Sequence, residues 1–191
     1  MSVYLVRHGE TEWSRDGRHT GTTDIPLTPR GEERAEAVRP LLADHAFALV
    51  LTSPLSRAIE TCRRAGFGEH AQIREDLLEW NYGEYEGVTT KQIRENRPEW
   101  YLWRDSAPGG ETSEEVGERV DRIIAEARAA EDEGDTLIFG HGHCLRVLIA
   151  RWLHLPPEDG DRFRLGTATV TILGYERETA VLQAFNIPPT A

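Results

Sequence analysis

Tyr4-Leu5-Val6-Arg7-His8-Gly9-Glu10-Thr11-Glu12-Trp13-Ser14 is the stretch on which the reading of the whole chain turns. The apolar run from Val3 to Val6 predicts a buried strand, and it breaks off in an arginine, a histidine and a glycine. Gly9 permits a sharp turn and a close approach of the backbone to whatever His8 faces. An arginine beside an imidazole at a strand exit suits a phosphate site. It suits equally a polar pair that solvates the strand end, so the remaining sequence has to decide.

Downstream of this stretch, residues 9 to 27 read as a long polar loop broken by Gly17, Gly21 and Pro26. Thr28-Pro29 has the form of a helix cap followed by proline at the first helical position, and a helix to Ala43 is expected. Ala48 to Thr52 predicts a second buried strand, and Ser53-Pro54 repeats the cap-and-proline start. A short strand is expected near Gln72 to Arg74. Thr89 with Gln92, and Thr112 with Glu115, have capping-box spacing. The second box opens the longest helix, with Val116, Val120, Ile123, Ile124 and Ala127 on one face and Gly134 as its stop. Thr136 to Phe139 predicts a third buried strand, followed by Gly140-His141-Gly142-His143 and a helix through Leu145, Leu148, Ile149 and Leu153. Thr167 to Gly174 and Ala180 to Phe185 alternate, which predicts an antiparallel hairpin at a sheet edge. This order implies an α/β three-layer sandwich with a mostly parallel central sheet and an antiparallel edge.

Composition narrows the function. A chain of 191 residues, 39% hydrophobic and 29% charged, fits one globular domain, residues 1–191. No run approaches the ~20 apolar residues of a membrane span, and no basic region followed by a longer apolar stretch suggests a signal peptide. Cys62 and Cys144 make neither a disulfide framework nor a zinc motif, so a reducing cytoplasm is expected. The net charge of -11 argues against nucleic acid as a partner and requires any phosphate site to be made locally. Lys91 is the one lysine among 22 basic residues, so individual arginines need positional evidence.

In open α/β sheets, ligands bind beyond the carboxyl ends of the strands. The first buried strand delivers Arg7 and His8 there, the second leads to Arg57, and the third delivers His141 between Gly140 and Gly142. If these strands are parallel neighbours, two arginines and two histidines converge at one edge, and a phosphoryl group fits their charge. His141 and His143 lack the Asp or Cys companions of a zinc site, and His143 is expected to turn elsewhere. No G-x-x-x-x-G-K-[ST] sequence is present.

The ordered set Leu5-Val6-Arg7-His8-Gly9-Glu10-Thr11, Thr20-Gly21, Asp24 to Thr28, Ser53 to Ala58 with Thr61, and Gly140-His141-Gly142 resembles the histidine phosphatase superfamily, also called phosphoglycerate-mutase-like. The resemblance implies that His8 takes the phosphoryl group, that Arg7, Arg57 and His141 hold its oxygens, and that neither metal nor cofactor is needed. Leu78-Glu79-Trp80-Asn81-Tyr82-Gly83 resembles the motif that supplies the family's proton donor, here Glu79; Glu10 and Glu12 are weaker candidates. Ser14, Thr20, Gly21, Trp80, Tyr82 and Gly142 are then the expected substrate contacts, and residues 80–111 a cap beside the pocket.

Departures from the mutase pattern separate the branches. Mutases usually carry asparagine at position 14, arginine at 80 and lysine at 90, with a basic pair further on; this chain has Ser14, Trp80 and Thr90, with Lys91 one place off. Arg7 to Ser14, His19-Thr20-Gly21 and Glu79 to Gly87 are similar to mycobacterial-type acid phosphatases and the sedoheptulose-bisphosphatase group. The expectation is a metal-independent phosphomonoesterase acting on a small phosphorylated metabolite at acidic to neutral pH. Phosphoglycerate mutase and a non-catalytic phosphate-binding or phosphoprotein-binding module are the alternatives, and the edge hairpin is compatible with a homodimer.

Overall fold

Alternation along the strands builds the layers. The structure, a computed structural model, describes residues 1–189. Its strands are β1 (Val3–Arg7), β2 (Phe47–Thr52), β3 (Gln72–Ile73), β4 (Asp135–Gly140), β5 (Val170–Glu176) and β6 (Thr179–Ile187). They form one six-stranded sheet in the order β3-β2-β4-β1-β5-β6. The first four of that order run parallel, and β5 and β6 pair antiparallel at the edge. The fold is therefore α/β, with the expected mostly parallel sheet and antiparallel hairpin.

The helices are α1 (Glu12–Asp16), α2 (Pro29–Ala37), α3 (Arg39–Leu42), α4 (Ser56–Arg64), α5 (Thr90–Asn96), α6 (Leu102–Asp105), α7 (Ser113–Ala129) and α8 (Gly142–Trp152). Val3, Leu5, Leu49, Leu51 and Ile138 point to one face of the sheet, where α7 and α8 bury Val116, Val120, Ile123, Leu145 and Leu148 against them. Tyr4, Val6, Val50, Leu137 and Phe139 point to the other, packing on Val38, Leu42 and Cys62. Each fully buried aliphatic side chain contributes about 1.5–3 kcal/mol.

Four local expectations are corrected. The loop of residues 9–27 contains α1, capped by a reciprocal Thr11–Ser14 box that uses serine where glutamate or glutamine is usual. The helix expected through Ala43 breaks at Val38, because Pro40 removes an N–H donor and crowds the carbonyl one turn back. Ser53 does not cap α4, which starts at Ser56 behind an extended Leu55. The Asp24 carboxylate holds that start instead, accepting from the Ser56 amide at 2.9 Å. Finally, α7 stops at Ala129, well before Gly134. Glu131, Asp132 and Glu133 follow, and carboxylates oppose the negative end of a helix dipole. Both capping boxes read at Thr89 and Thr112 form as expected.

Candidate active site

Because β2, β4 and β1 are parallel neighbours, their carboxyl ends bring Arg7, His8, Arg57 and His141 together. His8 follows β1 immediately. Its amide donates to the Gly140 carbonyl at 3.0 Å, and its own carbonyl accepts from Ala168 at 3.1 Å. Gly9 is needed for close approach, since a Cβ there would lie 2.4 Å from the Gly31 carbonyl oxygen. The Gly9 amide donates to the Thr61 hydroxyl at 3.0 Å, tying this turn to α4.

The His8 ring has one defined tautomer. Its Nδ1 lies 2.7 Å from the Gly9 carbonyl oxygen, which only accepts, so Nδ1 carries the proton. Burial, reinforced by the charges of Arg7 and Arg57, holds the imidazole well below its ordinary pKa. The neutral ring therefore offers the Nε2 lone pair.

Arg57 is fully buried in the first turn of α4. Its Nη1 donates to the Thr23 carbonyl at 2.9 Å, and Nη2 donates to those of Gly21 at 2.9 Å and Thr20 at 3.3 Å. Its Nε donates to His141 Nδ1 at 3.2 Å. That bond leaves His141 Nε2 as the protonated nitrogen, donating to the Ser53 hydroxyl at 2.7 Å. Burial, with the neighbouring charge of Arg57, keeps His141 neutral as well. His141 stands 5.2 Å from His8, ring centroid to centroid. Ser53 is thus spent on orienting His141, which explains why it does not cap its helix.

In front of His8 opens a cavity of about 520 Å3. Arg7, His8, Ser14, Thr20, Glu79, Tyr82 and Gly142 line it, as expected. Arg57 and His141 are fully buried and are not among the residues that line it, though they stand close to His8. Trp80 and Gly21 also fail to reach it. Trp80 is fully buried, with its indole N–H on the Glu111 carbonyl at 2.8 Å and its ring edge-on to Trp103. The Gly21 amide is held by the Glu86 carboxylate at 2.9 Å. The side chain of Trp80 therefore supports the cavity from behind and makes none of its surface.

Glu79 sits at the start of α8. Its Oε1 accepts from the amides of Trp80 at 2.9 Å and Cys144 at 2.8 Å, and its Oε2 from His143 at 3.0 Å. With two lone pairs per oxygen, Oε2 keeps one free for a proton. Arg7 donates through Nη1 to the Leu165 carbonyl at 2.5 Å and leaves Nε, a buried donor, without a partner among the described residues. A Cβ on Gly142 would come within 3.3 Å of this guanidinium, so glycine lets it lie against the helix start.

His143 turns into the cavity, against expectation. Its Nδ1 is 2.6 Å from the Tyr82 hydroxyl. Burial keeps His143 neutral and pushes the Tyr82 phenol well up, so Tyr82 remains an O–H donor. His19 also lines the cavity, packs on Tyr82 and contacts the Thr90 hydroxyl at 3.2 Å. Burial lowers its pKa to about 4. Arg18, Arg146 and Arg164 complete the wall, unanticipated. For Arg146 a signal existed: it lies three and four residues beyond His143 and Gly142, on the same helix face. Among the described residues no group of three or more His, Cys, Asp or Glu is placed to hold a metal ion, and no helix is long and apolar enough to cross a membrane.

The chain as a whole is similar to known proteins. The family model described as histidine phosphatase superfamily (branch 1) matches residues 3–188. An acid phosphatase of Mycobacterium tuberculosis is 42% identical over 185 residues, covering 94% of this chain and 91% of the relative. A sedoheptulose 1,7-bisphosphatase of Saccharomyces cerevisiae is 38% identical over 181 residues, covering 79% and 67%. The solved structure of the Rv3214 open reading frame of Mycobacterium tuberculosis superposes with a TM-score of 0.94 at 38% identity, covering 99% of this chain and 98% of that one. With a match over nearly its whole length and relatives above 30% identity, the chain belongs to the histidine phosphatase superfamily.

Proposed function

We propose that this cavity hydrolyses phosphate monoesters by passing the phosphoryl group to Nε2 of His8 and then to water. The observation that carries the reading is the neutral His8 ring, locked by its Nδ1–H on the Gly9 carbonyl so that Nε2 is the free nucleophile. Attack forms the Nε2–P bond and breaks the P–O bond to the leaving alkoxide, which takes a proton from Glu79. In the second half, the Glu79 carboxylate accepts a proton from water as its oxygen attacks phosphorus. The N–P bond breaks and orthophosphate leaves, with enzyme and proton inventory restored.

Arg7 offers its unpartnered Nε and its charge to the phosphoryl oxygens. Arg57 and His141, hydrogen-bonded to each other close to His8, act by position, Arg57 through its charge and both by fixing the floor of the site. Positioning and electrostatics suffice for phosphoryl transfer of this kind, so we expect activity to survive a chelator.

Phosphatase activity is supported by the acid phosphatase and bisphosphatase relatives. Position 90 adds to this. Thr90 lines the cavity with its hydroxyl near His19, whereas Lys91 is exposed and off the wall, which disfavours the mutase alternative. Residues 80–111 act as a cap of this one domain, contributing Tyr82 and Thr90 to the wall. The buried, unbonded cysteines are at home in a reducing cytoplasm. Phosphate release from p-nitrophenyl phosphate, with and without EDTA, tests the reading. Turnover should be unchanged by EDTA and fall roughly 10²–10⁴-fold in Glu79→Gln; loss of turnover with EDTA would overturn it.

A further inference from the structure

From Glu79 to Tyr82 the chain forms neither helix nor strand, so no regular ladder holds the residue that must meet a leaving oxygen. Among the described residues the Glu79 carboxylate itself reaches only main-chain amides, those of Trp80, His143 and Cys144. What fixes the chain around it is the ion pair of Arg119, in α7, with Glu111, just ahead of that helix. Neither residue lines the cavity.

The pair is bidentate: Arg119 Nε donates to Glu111 Oε1 at 2.8 Å and Nη2 donates to Oε2 at 3.1 Å. With side chains 9% and 23% exposed, it is the least exposed ion pair among the described residues. Both partners then turn to the main chain on either side of Glu79. Arg119 Nη1 donates to the carbonyls of Asp76 at 2.8 Å and Leu78 at 2.7 Å. The Glu111 carboxylate accepts from the Asn81 amide at 2.8 Å. The Glu111 amide donates to the Asn81 carbonyl at 2.9 Å, and its carbonyl accepts the Trp80 indole N–H at 2.8 Å. Arg119 Nη1 also reaches the Cys144 sulfur at 3.4 Å, and the Cys144 amide donates to Glu79. One ion pair therefore grips the residues before and after Glu79 and the helix turn that Glu79 faces.

Stability alone does not call for such a pair. Both charges lose their water on burial, so a buried ion pair gives little or nothing over an apolar pair of the same volume. An apolar pair could not supply these main-chain bonds. We infer that Arg119 and Glu111 are positioning residues for the proton donor, holding the Glu79 carboxyl where it meets the leaving oxygen of the substrate. The inference rests on the phosphomonoesterase reading for the role of Glu79. Misplacing a reacting group by ~1 Å costs on the order of 10²-fold in rate, so residues that touch no substrate can govern the proton transfer.

The test compares two esters that differ in their need for a proton. The phenolate of p-nitrophenyl phosphate leaves readily without one, whereas the alkoxide of glycerol 2-phosphate does not. The quantity to read is kcat/KM, which covers only the steps through transfer to His8, where Glu79 is the acid. Turnover also includes the water step, where Glu79 is the base. Arg119→Met should lower kcat/KM for glycerol 2-phosphate roughly 10–100-fold, and for p-nitrophenyl phosphate by roughly threefold or less. Glu111→Gln keeps an acceptor for the Asn81 amide and should act in the same sense, more weakly; it carries the test should Arg119→Met fail to fold. Arg119→Met added to Glu79→Gln should cost less than about twofold more, because no proton donor is left to place. Arg122→Gln, which removes an exposed pair with Asp76 one turn along α7, should leave both esters unchanged. Equal losses for the two esters in Arg119→Met and Glu111→Gln, or full additivity with Glu79→Gln, would overturn the positioning role while Glu79→Gln alone still spares the aryl ester. Equal losses in Glu79→Gln itself, or no release from either ester by wild type, would instead refute the proton-donor assignment and the positioning role with it.

Discussion

His8 and Arg57 illustrate how much a single position discloses. The neighbours of His8 in sequence supply a basic partner and a turn, which suit a phosphate site and a solvated strand end equally; the burial that keeps the ring neutral and the Gly9 carbonyl at 2.7 Å that fixes its tautomer come from the fold. Arg57 reads from sequence as a clamp on phosphate. Its guanidinium instead serves three carbonyls of residues 20–23 and His141. The path of that loop carries no periodic signal, so the direction of the side chain was not legible. Lysine cannot reproduce four such bonds from one planar group. Arg57→Lys should therefore lower stability by roughly 2–4 kcal/mol, measured by urea unfolding, and cut kcat/KM with it. A variant of wild-type stability would show the carbonyl bonds to be unimportant.

Elements announce their starts better than their ends. The caps at Thr28, Thr89 and Thr112 were readable because each places a hydroxyl three residues ahead of a backbone amide. Ser53 had the same look and failed, since its hydroxyl answers to His141, just beyond β4 at the start of α8. No local pattern records a partner 88 residues away. The junction of β1 with α2 depends on two glycines in contact: a Cβ on Gly9 would meet the Gly31 carbonyl at 2.4 Å, and one on Gly31 would meet that of Glu10 at 2.1 Å. Gly9→Ala should destabilise by roughly 3 kcal/mol or more, an overpacking cost. Gly17→Ala, at φ +72 with open space around it, should cost only about 1 kcal/mol. Equal losses in thermal unfolding would contradict the close approach.

Across the whole molecule, the layers and the parallel sheet with its antiparallel edge were legible in the sequence, as were Arg7, His8, Ser14, Thr20, Glu79, Tyr82 and Gly142 in the cavity. His19, His143, Arg18, Arg146 and Arg164 were not, because the lining comes from segments spread between residues 7 and 165. His8, His19, His141 and His143 are all kept neutral chiefly by burial. Each folded-state pKa lies below the unfolded value of about 6.5. The stability they permit is intact above that pH and is lost as the pH falls through the folded values. For His19 the window runs from about 6.5 down to about 4. The unfolding free energy should drop between pH 6.5 and 4.5, and His19→Gln should spare roughly 2 kcal/mol of that drop; an identical drop in the variant would contradict the burial effect. The proposed nucleophile meanwhile survives acidity, because burial holds His8 well below its ordinary pKa. The most direct test of the account is rapid acid-free quenching with phosphorus-labelled substrate, followed by mapping of the labelled residue. Wild-type protein should carry an acid-labile phosphoryl group on His8, which should accumulate in Glu79→Gln and be missing from His8→Ala. Turnover by His8→Ala at the wild-type rate, or label on another residue, would contradict it.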